Sequence, residues 1–489
     1  MEFETVIGLE VHVELSTDSK IYCTCSTEFG AEENAHICPV CTGMPGTLPA
    51  LNKKVVEYCV KAGLALDCKI NRYSRQDRKH YFYPDLPKAF QTSQYDLPLC
   101  YEGFVDLRVP EGDPLDGRAN KPAYQKRIGI TRIHIEEDAG KLIHGAGTTR
   151  IDYNRCGVPL IEIVTEPDFR SEGEVYAFLN HLRTVLLYAN VSNCKMEEGS
   201  MRCDVNLSLR PSPDAPFGTR TETKNIASMS ATVRAIQFER ARQKKVLEKG
   251  GAITQDTLRW DDERGVNYAM RSKEDAHDYF YFPEPDIMPI TVDDAWLKRI
   301  QDSIPELPHV RRNRYTNELG LPEYDAEFIA GDRATAELFD GCVALGAAPK
   351  TVSNWLMSDV ARLCNDTGAA FGDLWFGAKG LFELISLVEK GTISRSAGSK
   401  VLEAMFVEDE HRPPEELVNA LGLAQLSDEN AILSLCREVV SGNEKAVADY
   451  RAGKAKALTS LVGQVMKASK GKANPAIVNK LIVELLESD

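Results

Sequence analysis

Apolar and polar side chains alternate without interruption along residues 5–15. One face would carry Ile7, Leu9, Val11, Val13 and Leu15, and the other Gly8, Glu10, His12 and Glu14. Because successive side chains of a strand point to opposite sides, this segment predicts a strand with one core-packing face and one ionisable face. Glu10 and His12 would lie about 7 Å apart, which suits a hard cation such as Mg2+. An antiparallel strand with one solvated face has the same pattern, so this strand alone leaves both interpretations open.

Later segments repeat the alternation with the same kinds of polar residue. These rows comprise Arg202, Asp204, Asn206, Ser208 and Arg210, then Arg220, Glu222 and Lys224, with further carboxylates at Glu136, Glu137, Asp138 and Glu162. Converging carboxylates repel one another unless cations lie between them, and guanidinium groups match phosphate oxygens. Together these groups indicate phosphoryl transfer, which depends on positioning and charge neutralisation. Walker and protein-kinase motifs are absent from the sequence, so an ATP site would have to be built on the sheet itself.

Four cysteines follow the first predicted strand. Cys23-Thr-Cys25 precedes Cys38-Pro-Val-Cys41, and four thiolates form a closed tetrahedral zinc site of the structural kind. Four free thiols in a loop are the alternative. The chain has 13 cysteines, an odd number that lies mostly in apolar or helical contexts. This usage is typical of free thiols in a reducing compartment, so we expect a cytoplasmic protein.

The 489 residues exceed one typical core, so several domains are expected. Strand and turn patterns give way to helical spacing near residue 295. The formal net charge is −15, yet residues 451–480 hold seven bases and no acid. This segment predicts a patch that contacts a nucleic-acid backbone, with a solvated helical face as the alternative. We expect no membrane span and no targeting peptide, since long apolar segments are lacking and the chain starts Met-Glu-Phe-Glu.

Several long motifs are distributed along the chain. They are Ile7-Gly-Leu-Glu-Val-His-Val-Glu-Leu15, Met44-Pro-Gly-Thr-Leu-Pro49, Arg78-Lys-His-Tyr-Phe-Tyr-Pro-Asp-Leu-Pro-Lys88, Ile133-His-Ile-Glu-Glu-Asp-Ala-Gly-Lys141, Asp152-Tyr-Asn-Arg155, Gly157-Val-Pro-Leu-Ile-Glu-Ile163, Met201-Arg-Cys-Asp-Val-Asn206 and Glu222-Thr-Lys-Asn225. With these motifs the chain resembles the B subunits of the glutamyl/aspartyl-tRNA amidotransferase. The likeness extends over nearly the whole chain, including the basic tail.

The resemblance implies an α+β fold, in which an N-terminal antiparallel-sheet cradle similar to the glutamine synthetase/guanido kinase fold precedes all-helical C-terminal domains. The boundaries would be 1–295 for the cradle with its zinc knuckle, 296–410 for a helical domain and 411–489 for a basic, Yqey-like tail. The implied activity is that of an ATP-dependent carbon–nitrogen ligase. ATP would phosphorylate the side-chain carboxylate of Glu-tRNA(Gln) or Asp-tRNA(Asn), and ammonia would then displace the phosphate.

The implied partners are misacylated tRNA, an amidase-type A subunit that releases ammonia from glutamine, and a small C subunit, which together form a heterotrimer with this chain. The sequence agrees, because it contains no recognisable amidase or glutaminase motif. A non-catalytic, zinc-braced tRNA-binding protein is the alternative. RNA binding alone gains nothing from carboxylates, which repel phosphate, so the carboxylate rows favour the enzyme.

The cofactors implied are ATP, Mg2+ and structural Zn2+. Metal ligands and catalytic residues would be Glu10, His12, Glu137, Glu162 and Asp204, with Glu136 and Glu198 as further Mg2+ candidates. Arg202 would also act in catalysis, and Lys79, Lys224, Arg220 and Asn206 would bind the phosphates of ATP. Contacts to tRNA would come from Lys454, Lys456, Lys467, Lys470 and Lys472.

Overall fold

The protein is represented by a computed structural model that describes residues 3–111, 122–224, 226–272, 279–407, 411–424, 429–451, 454–469 and 473–488. The chain divides into two compact units, Met1–Leu307 and Pro308–Asp489. Among these described residues, the first unit contains the strands and four helices, and the second is helical. This order confirms the predicted sheet followed by helices. The finer division at residues 295 and 410 remains a prediction.

The strands of the first unit belong to four sheets. They are β1 Glu4–Glu14, β2 Lys69–Ile70, β3 Tyr73–Ser74, β4 Asp77–His80, β5 Phe90–Ser93, β6 Cys100–Val109, β7 Tyr124–Glu137, β8 Lys141–His144, β9 Thr149–Asp152, β10 Pro159–Thr165, β11 Met201–Arg210, β12 Thr221–Lys224, β13 Asp256–Asp261, β14 Val266–Ser272, β15 Phe280–Pro283 and β16 Ile290–Thr291. The largest sheet has nine strands in the order β14-β13-β12-β11-β1-β10-β7-β6-β2. Its strands pair antiparallel except for β12 and β13, which run parallel.

One face of this sheet is covered by helices. The helices of the first unit are α1 Lys53–Ala65, α2 Glu172–Tyr188, α3 Met229–Glu248 and α4 Asp294–Asp302. Ile7, Leu9 and Val11 of β1 are buried in the same core as residues of α1, α2 and α3, as the alternation predicts. Side chains of Asn52, Ser171 and Ser228 accept backbone hydrogen bonds and so begin the first three helices. The opposite face of the sheet stays polar, and the small sheet β15-β4-β5 contacts it through Ser93 and Gln91.

The described residues of the second unit lie mostly in helices. They are α5 Pro308–Asn317, α6 Glu323–Ala330, α7 Arg333–Ala344, α8 Pro349–Trp355, α9 Ala361–Thr367, α10 Gly377–Glu389, α11 Arg395–Val407, α12 Pro414–Ala420, α13 Glu429–Ser441, α14 Glu444–Arg451, α15 Ala455–Ala468 and α16 Pro475–Ser488. Helices α13, α15 and α16 bury their own core, which includes Ile432, Cys436, Leu461, Val465 and Ile482. Among the helices described, none is long and apolar enough to span a membrane.

Candidate functional site

The strand register aligns polar side chains of different strands on the uncovered face. His12 of β1 pairs with Arg202 of β11 on one side and with Glu162 of β10 on the other, and Glu162 pairs in turn with His134 of β7. Two residues before His12 in β1, Glu10 pairs with Asp204 of β11. Paired positions in neighbouring strands point to the same face, so the period of two collects these ionisable groups into two adjacent rows.

The first cluster joins imidazoles and carboxylates. His12 Nε2 lies 3.3 Å from Glu162 Oε2 and 3.9 Å from Glu136 Oε2. His134 Nε2 lies 3.2 Å from Glu136 Oε1 and 3.7 Å from Glu162 Oε2. One ligand atom each from His12, Glu136 and Glu162 lies within 4.8 Å of the others, which suits a shared metal ion. Ser93 Oγ donates a 2.7 Å hydrogen bond to Glu136 and fixes this carboxylate from β5.

The pKa shifts of this cluster favour ionised carboxylates and cationic partners. Burial alone would lower the pKa of His12, but the hydrogen bond and charge of Glu162 raise it to about 9. Burial works against ionisation of Glu162, yet His134 and His12 hold its pKa well below the usual range. Burial also disfavours the charge of Lys79, and nearby Glu136 more than offsets this and raises its pKa. The carboxylates therefore stay ionised, and the proton on His12 occupies the place that a cation would take.

The second cluster consists of carboxylates with one lysine. Glu10, Asp204 and Glu222 offer oxygens within 4.8 Å of one another. Lys224 Nζ lies 2.6 Å from Asp204 Oδ2 and 2.8 Å from Glu222 Oε1, and Asn206 Nδ2 donates to Glu10 Oε1 at 3.0 Å. Burial, followed by the charges of Glu162 and Glu222, raises the pKa of Glu10. Because Glu10 and His12 are two residues apart in β1, the two clusters are neighbours on one face.

A cleft adjoins the second cluster. It is lined by Val6, Gly8, Leu9, Glu10, Val164, Thr165, Pro167, Asn206, Ser208, Phe217, Gly218 and Arg220. Phe217 is 57% exposed, and a hydrogen bond from Arg210 Nη1 to Ala215 O ties its loop to β11. A Cβ added at Gly8 would lie 3.5 Å from Pro167 Cα, in ordinary van der Waals contact. The predicted residues Glu10, Asn206 and Arg220 therefore line the same cleft.

The end of the first row carries a further charged group. Arg202 Nη2 lies 2.9 Å from Asp138 Oδ1, and Arg155 pairs with the other oxygen of Asp138. Glu14 lies beside them, with its Oε1 3.6 Å from Arg155 Nη2. Burial and the charge of Asp138 raise the pKa of Glu14 to about 8. Arg202 is therefore close to the first cluster through its pairing with His12, and Asp138 fixes its guanidinium.

Two predicted carboxylates lie elsewhere. Glu137 directly follows Glu136, so the period of two turns it to the other side of β7, where Thr92 N donates to its Oε1 at 2.8 Å and Lys88 pairs with it. Glu198 lies in the loop before β11 and pairs with Lys195 at 2.8 Å. The structure does not bring Glu137 or Glu198 together with Glu10, His12, Glu136, Glu162 and Asp204.

Three residues of the two clusters and their border were not among the predicted site residues. His134 and Glu222 complete the clusters, and Asp138 holds Arg202. The signals were present, because His134 stands two residues before Glu136 and Glu222 lies in a row of alternating polar residues. Only the register between strands shows which of these rows converge.

The four loop cysteines converge as predicted. Their Sγ atoms lie within 4.8 Å of one another, and about 3.8 Å is expected around a tetrahedral zinc ion with 2.3 Å bonds. The hydrogen bond from Cys23, opposed by burial and aided by Cys38 N–H, lowers the pKa of Cys41 to about 5. The cluster can therefore hold a metal ion, and all four thiols are free of disulfides.

The predicted tRNA contacts lie in the second unit. Lys454 begins α15 and pairs with Asp449 at 2.8 Å, while Lys456 and Lys467 are exposed on the same helix. Lys470 and Lys472 lie outside the described residues. Lys454, Lys456 and Lys467 are therefore exposed, in contrast to the partly or fully buried charged groups on the sheet.

Two family profiles match the chain. Residues 5–298 match the family described as the GatB/GatE catalytic domain, and residues 337–486 match the family described as the GatB domain. Relatives named as B subunits of the aspartyl/glutamyl-tRNA(Asn/Gln) amidotransferase are similar over the full length. The one from Caldicellulosiruptor bescii is 53% identical over 492 residues, covering 100% of both chains. The one from Thermoanaerobacter pseudethanolicus is 51% identical over 487 residues, 99% of this chain and 100% of the relative.

These matches extend along the same segments that carry the polar sheet face, the thiol cluster and the helical tail. They confirm the family that the sequence motifs indicated, and the subunit names of the relatives imply an amidotransferase complex of several subunits. The chain belongs to the family of B subunits of the tRNA-dependent aspartyl/glutamyl amidotransferases.

Proposed function

We propose that this chain activates the side-chain carboxylate of Glu-tRNA(Gln), Asp-tRNA(Asn) or both with ATP, and that ammonia then replaces the phosphate. The observation that carries the proposal is the pair of adjacent clusters, His12–Glu136–Glu162 and Glu10–Asp204–Glu222. Two acidic clusters side by side on a rigid sheet fit the divalent cations that accompany nucleotide phosphates. Their position on a sheet rather than on a phosphate-binding loop supports the likeness to the glutamine synthetase/guanido kinase fold.

Mg2+ would be held by the two clusters, where it would neutralise the charge that develops on the transferred phosphoryl group. Lys79 interacts electrostatically with Glu136 and Glu162, and it would stabilise the same negative charge on the phosphoryl group. Lys224 now bridges Asp204 and Glu222, and its ammonium would turn toward the phosphate oxygens of ATP. Arg202, which Asp138 holds at the end of the first row, would orient an oxygen of the transferred phosphoryl group.

The nucleoside end of ATP would lie in the cleft beside Glu10. Phe217 offers an exposed ring for stacking on the base, and Ser208, Asn206 and Arg220 supply polar groups around it. Because Glu10 belongs to both the cleft and the second cluster, a nucleotide bound in the cleft would place its phosphates near that cluster.

The proposal also includes structural zinc at the thiol cluster and the partner subunits of the complex. Glutamine would be the amido donor, an amidase-type A subunit would release its ammonia, and a small C subunit would complete a heterotrimer in the cytoplasm. Lys454, Lys456, Lys467, Lys470 and Lys472 would contact the sugar-phosphate backbone of tRNA and contribute little base specificity. The basic tail would act as a tRNA-holding domain, distinct from the cradle and from an intervening helical domain.

An isotope experiment tests the reaction. Glu-tRNA(Gln) or Asp-tRNA(Asn) labelled with 18O in its side-chain carboxylate is converted by the complete complex with ATP and an ammonia source. An acyl phosphate intermediate leaves one carboxylate oxygen on phosphate, so inorganic phosphate should gain one 18O per amide formed. Unlabelled phosphate at full amide yield would rule out this activation. If the complete complex bound the tRNA but turned over no ATP, the non-catalytic tRNA-binding alternative would stand.

A further inference from the structure

A lysine is fully buried beside the thiol cluster. Lys20 is 0% exposed, and its ammonium lies 3.8 Å from Cys41 Sγ and 3.3 Å from the carbonyl oxygen of Tyr153. Within the described residues, Lys20 has no carboxylate at ion-pair distance. The glutamate that lines the same cavity, Glu137, is already paired with Lys88. Among the same residues, Cys41 is therefore the one acidic side chain in contact with this ammonium.

The backbone keeps Lys20 in this position. Lys20 N donates to Cys25 O at 3.0 Å, and Ile21 N donates to Gly157 O at 2.9 Å. These bonds fold the loop back on itself and place Lys20 between the cysteines and the segment before β10. Ile21 meanwhile points into the main core, where it is buried. The side chain of Lys20 is thus held in a buried position beside the cysteines.

The charges favour one state of the cluster. An isolated buried ammonium is costly, so a buried lysine needs an anion beside it. Four neutral thiols supply none, whereas a divalent ion with four thiolates carries a net charge of about −2 by simple addition. We propose that Lys20 is the built-in counter-ion of a divalent metal–tetrathiolate centre formed by Cys23, Cys25, Cys38 and Cys41. This inference rests on the zinc site proposed above and not on the reaction at the sheet.

The same ammonium links the centre to the polar sheet face. Tyr153, whose carbonyl accepts from Lys20, stands two residues before Arg155, and Arg155 pairs with Asp138 beside Arg202. Asn34 of the cysteine loop also receives a hydrogen bond from Tyr153 N at 2.8 Å. This contact connects the centre to the segment that carries Arg155. Lys20 acts here as a positioning residue, since it contacts no reacting atom.

Metal retention by the full-length chain tests the proposal. Lys20→Met keeps the aliphatic stem and removes the charge, and Lys54→Met on the exposed side of α1 is the matched control. Zinc content and the rate of zinc transfer to a chromophoric chelator are measured. Outer-shell partners of metal ligands typically change affinity by about 10–100-fold, so Lys20→Met should release zinc at least about tenfold faster than wild type or Lys54→Met. Equal release rates would overturn the proposal, as would wild-type protein purified without zinc, and only the latter would also remove the zinc assignment.

A double-mutant cycle keeps the test decisive even where Lys20→Met folds poorly. In a Cys38→Ser/Cys41→Ser background the thiolate charge is gone, so the ammonium is buried without a partner. Lys20→Met should then raise the melting temperature, although it lowers the melting temperature of zinc-loaded protein. This reversal of sign is specific to a counter-ion, because simple packing would give the same sign in both backgrounds. The same sign in both backgrounds would overturn the proposal.

Discussion

The polar sheet face and the basic tail both stand out as charged segments in the sequence, yet they differ in how firmly the fold places their charges. On the sheet, strand register brings His12 and Glu162 to 3.3 Å in a nearly buried setting. In the tail, Lys456 and Lys467 are exposed on α15. Buried charges cost free energy unless they are paired or bind a metal ion, whereas exposed charges cost almost nothing. The sheet face is therefore the stronger indication of chemistry.

The largest effect is expected at the first cluster. His12→Ala should lower tRNA-dependent ATP turnover by at least about 10³-fold, because losing a metal ligand removes about 4 kcal/mol of transition-state stabilisation. His144→Ala, at an exposed histidine of β8, serves as the control. The measurement is phosphate release with saturating misacylated tRNA, together with tRNA binding, which should persist. Wild-type turnover in the His12→Ala variant would remove the metal assignment from the sheet face.

Metal removal at the thiol cluster should come next. A Cys38→Ser/Cys41→Ser variant should lose its zinc, about one ion per chain in wild type, and should melt several degrees earlier. Structural zinc contributes folding free energy directly, roughly 10 kcal/mol in small zinc-finger peptides. Elemental analysis and thermal unfolding measure the two effects. A variant that melts like wild type would reduce the cluster to four ordinary thiols.

Two adjacent glutamates of β7, Glu136 and Glu137, test which carboxylate of this strand contributes to the metal site. Glu136→Gln should raise the Mg2+ concentration for half-maximal ATP turnover by about tenfold or more, since a neutral amide is a weaker ligand for a hard cation. Glu137→Gln should leave that concentration unchanged, because Glu137 lies on the other side of β7 with Lys88. The pair is a matched set, with identical chemistry at neighbouring positions. An equal shift in both variants would contradict the observed alternation.

The smallest effect is expected in the tail. Replacing Lys454, Lys456 and Lys467 by Gln should weaken tRNA binding modestly and reduce its salt dependence. Each lost phosphate contact lowers the slope of log affinity against log salt by about 0.7–0.9. Binding of misacylated tRNA is measured over a salt series, with Lys379→Gln in the exposed part of α10 as the control. Unchanged affinity and slope would leave these lysines as a solvated helical face.

The sequence predicted the polar face because strand periodicity is simple and β1 follows it without a fault. It also predicted the thiol cluster, since four cysteines at short spacings leave few ways to arrange a closed site. It ranked Glu137 above Glu136, whereas the structure brings Glu136 together with His12 and Glu162. The motif Ile135-Glu-Glu-Asp138 offers two adjacent carboxylates, and the strand register decides which of them joins the cluster. Lys20 was missed entirely, since a lone lysine in a loop reads as exposed until the fold encloses it.

The most direct test of the proposed reaction site is whether His12 coordinates a divalent ion on the sheet face. Mn2+ replaces Mg2+ in the full-length chain with a non-hydrolysable ATP analogue, and pulsed electron paramagnetic resonance detects coupling to imidazole nitrogen. Wild-type protein should show a nitrogen coupling that disappears in His12→Gln and persists in His144→Gln. Bound Mn2+ without any nitrogen coupling, or with a coupling that survives in His12→Gln, would contradict the proposed site.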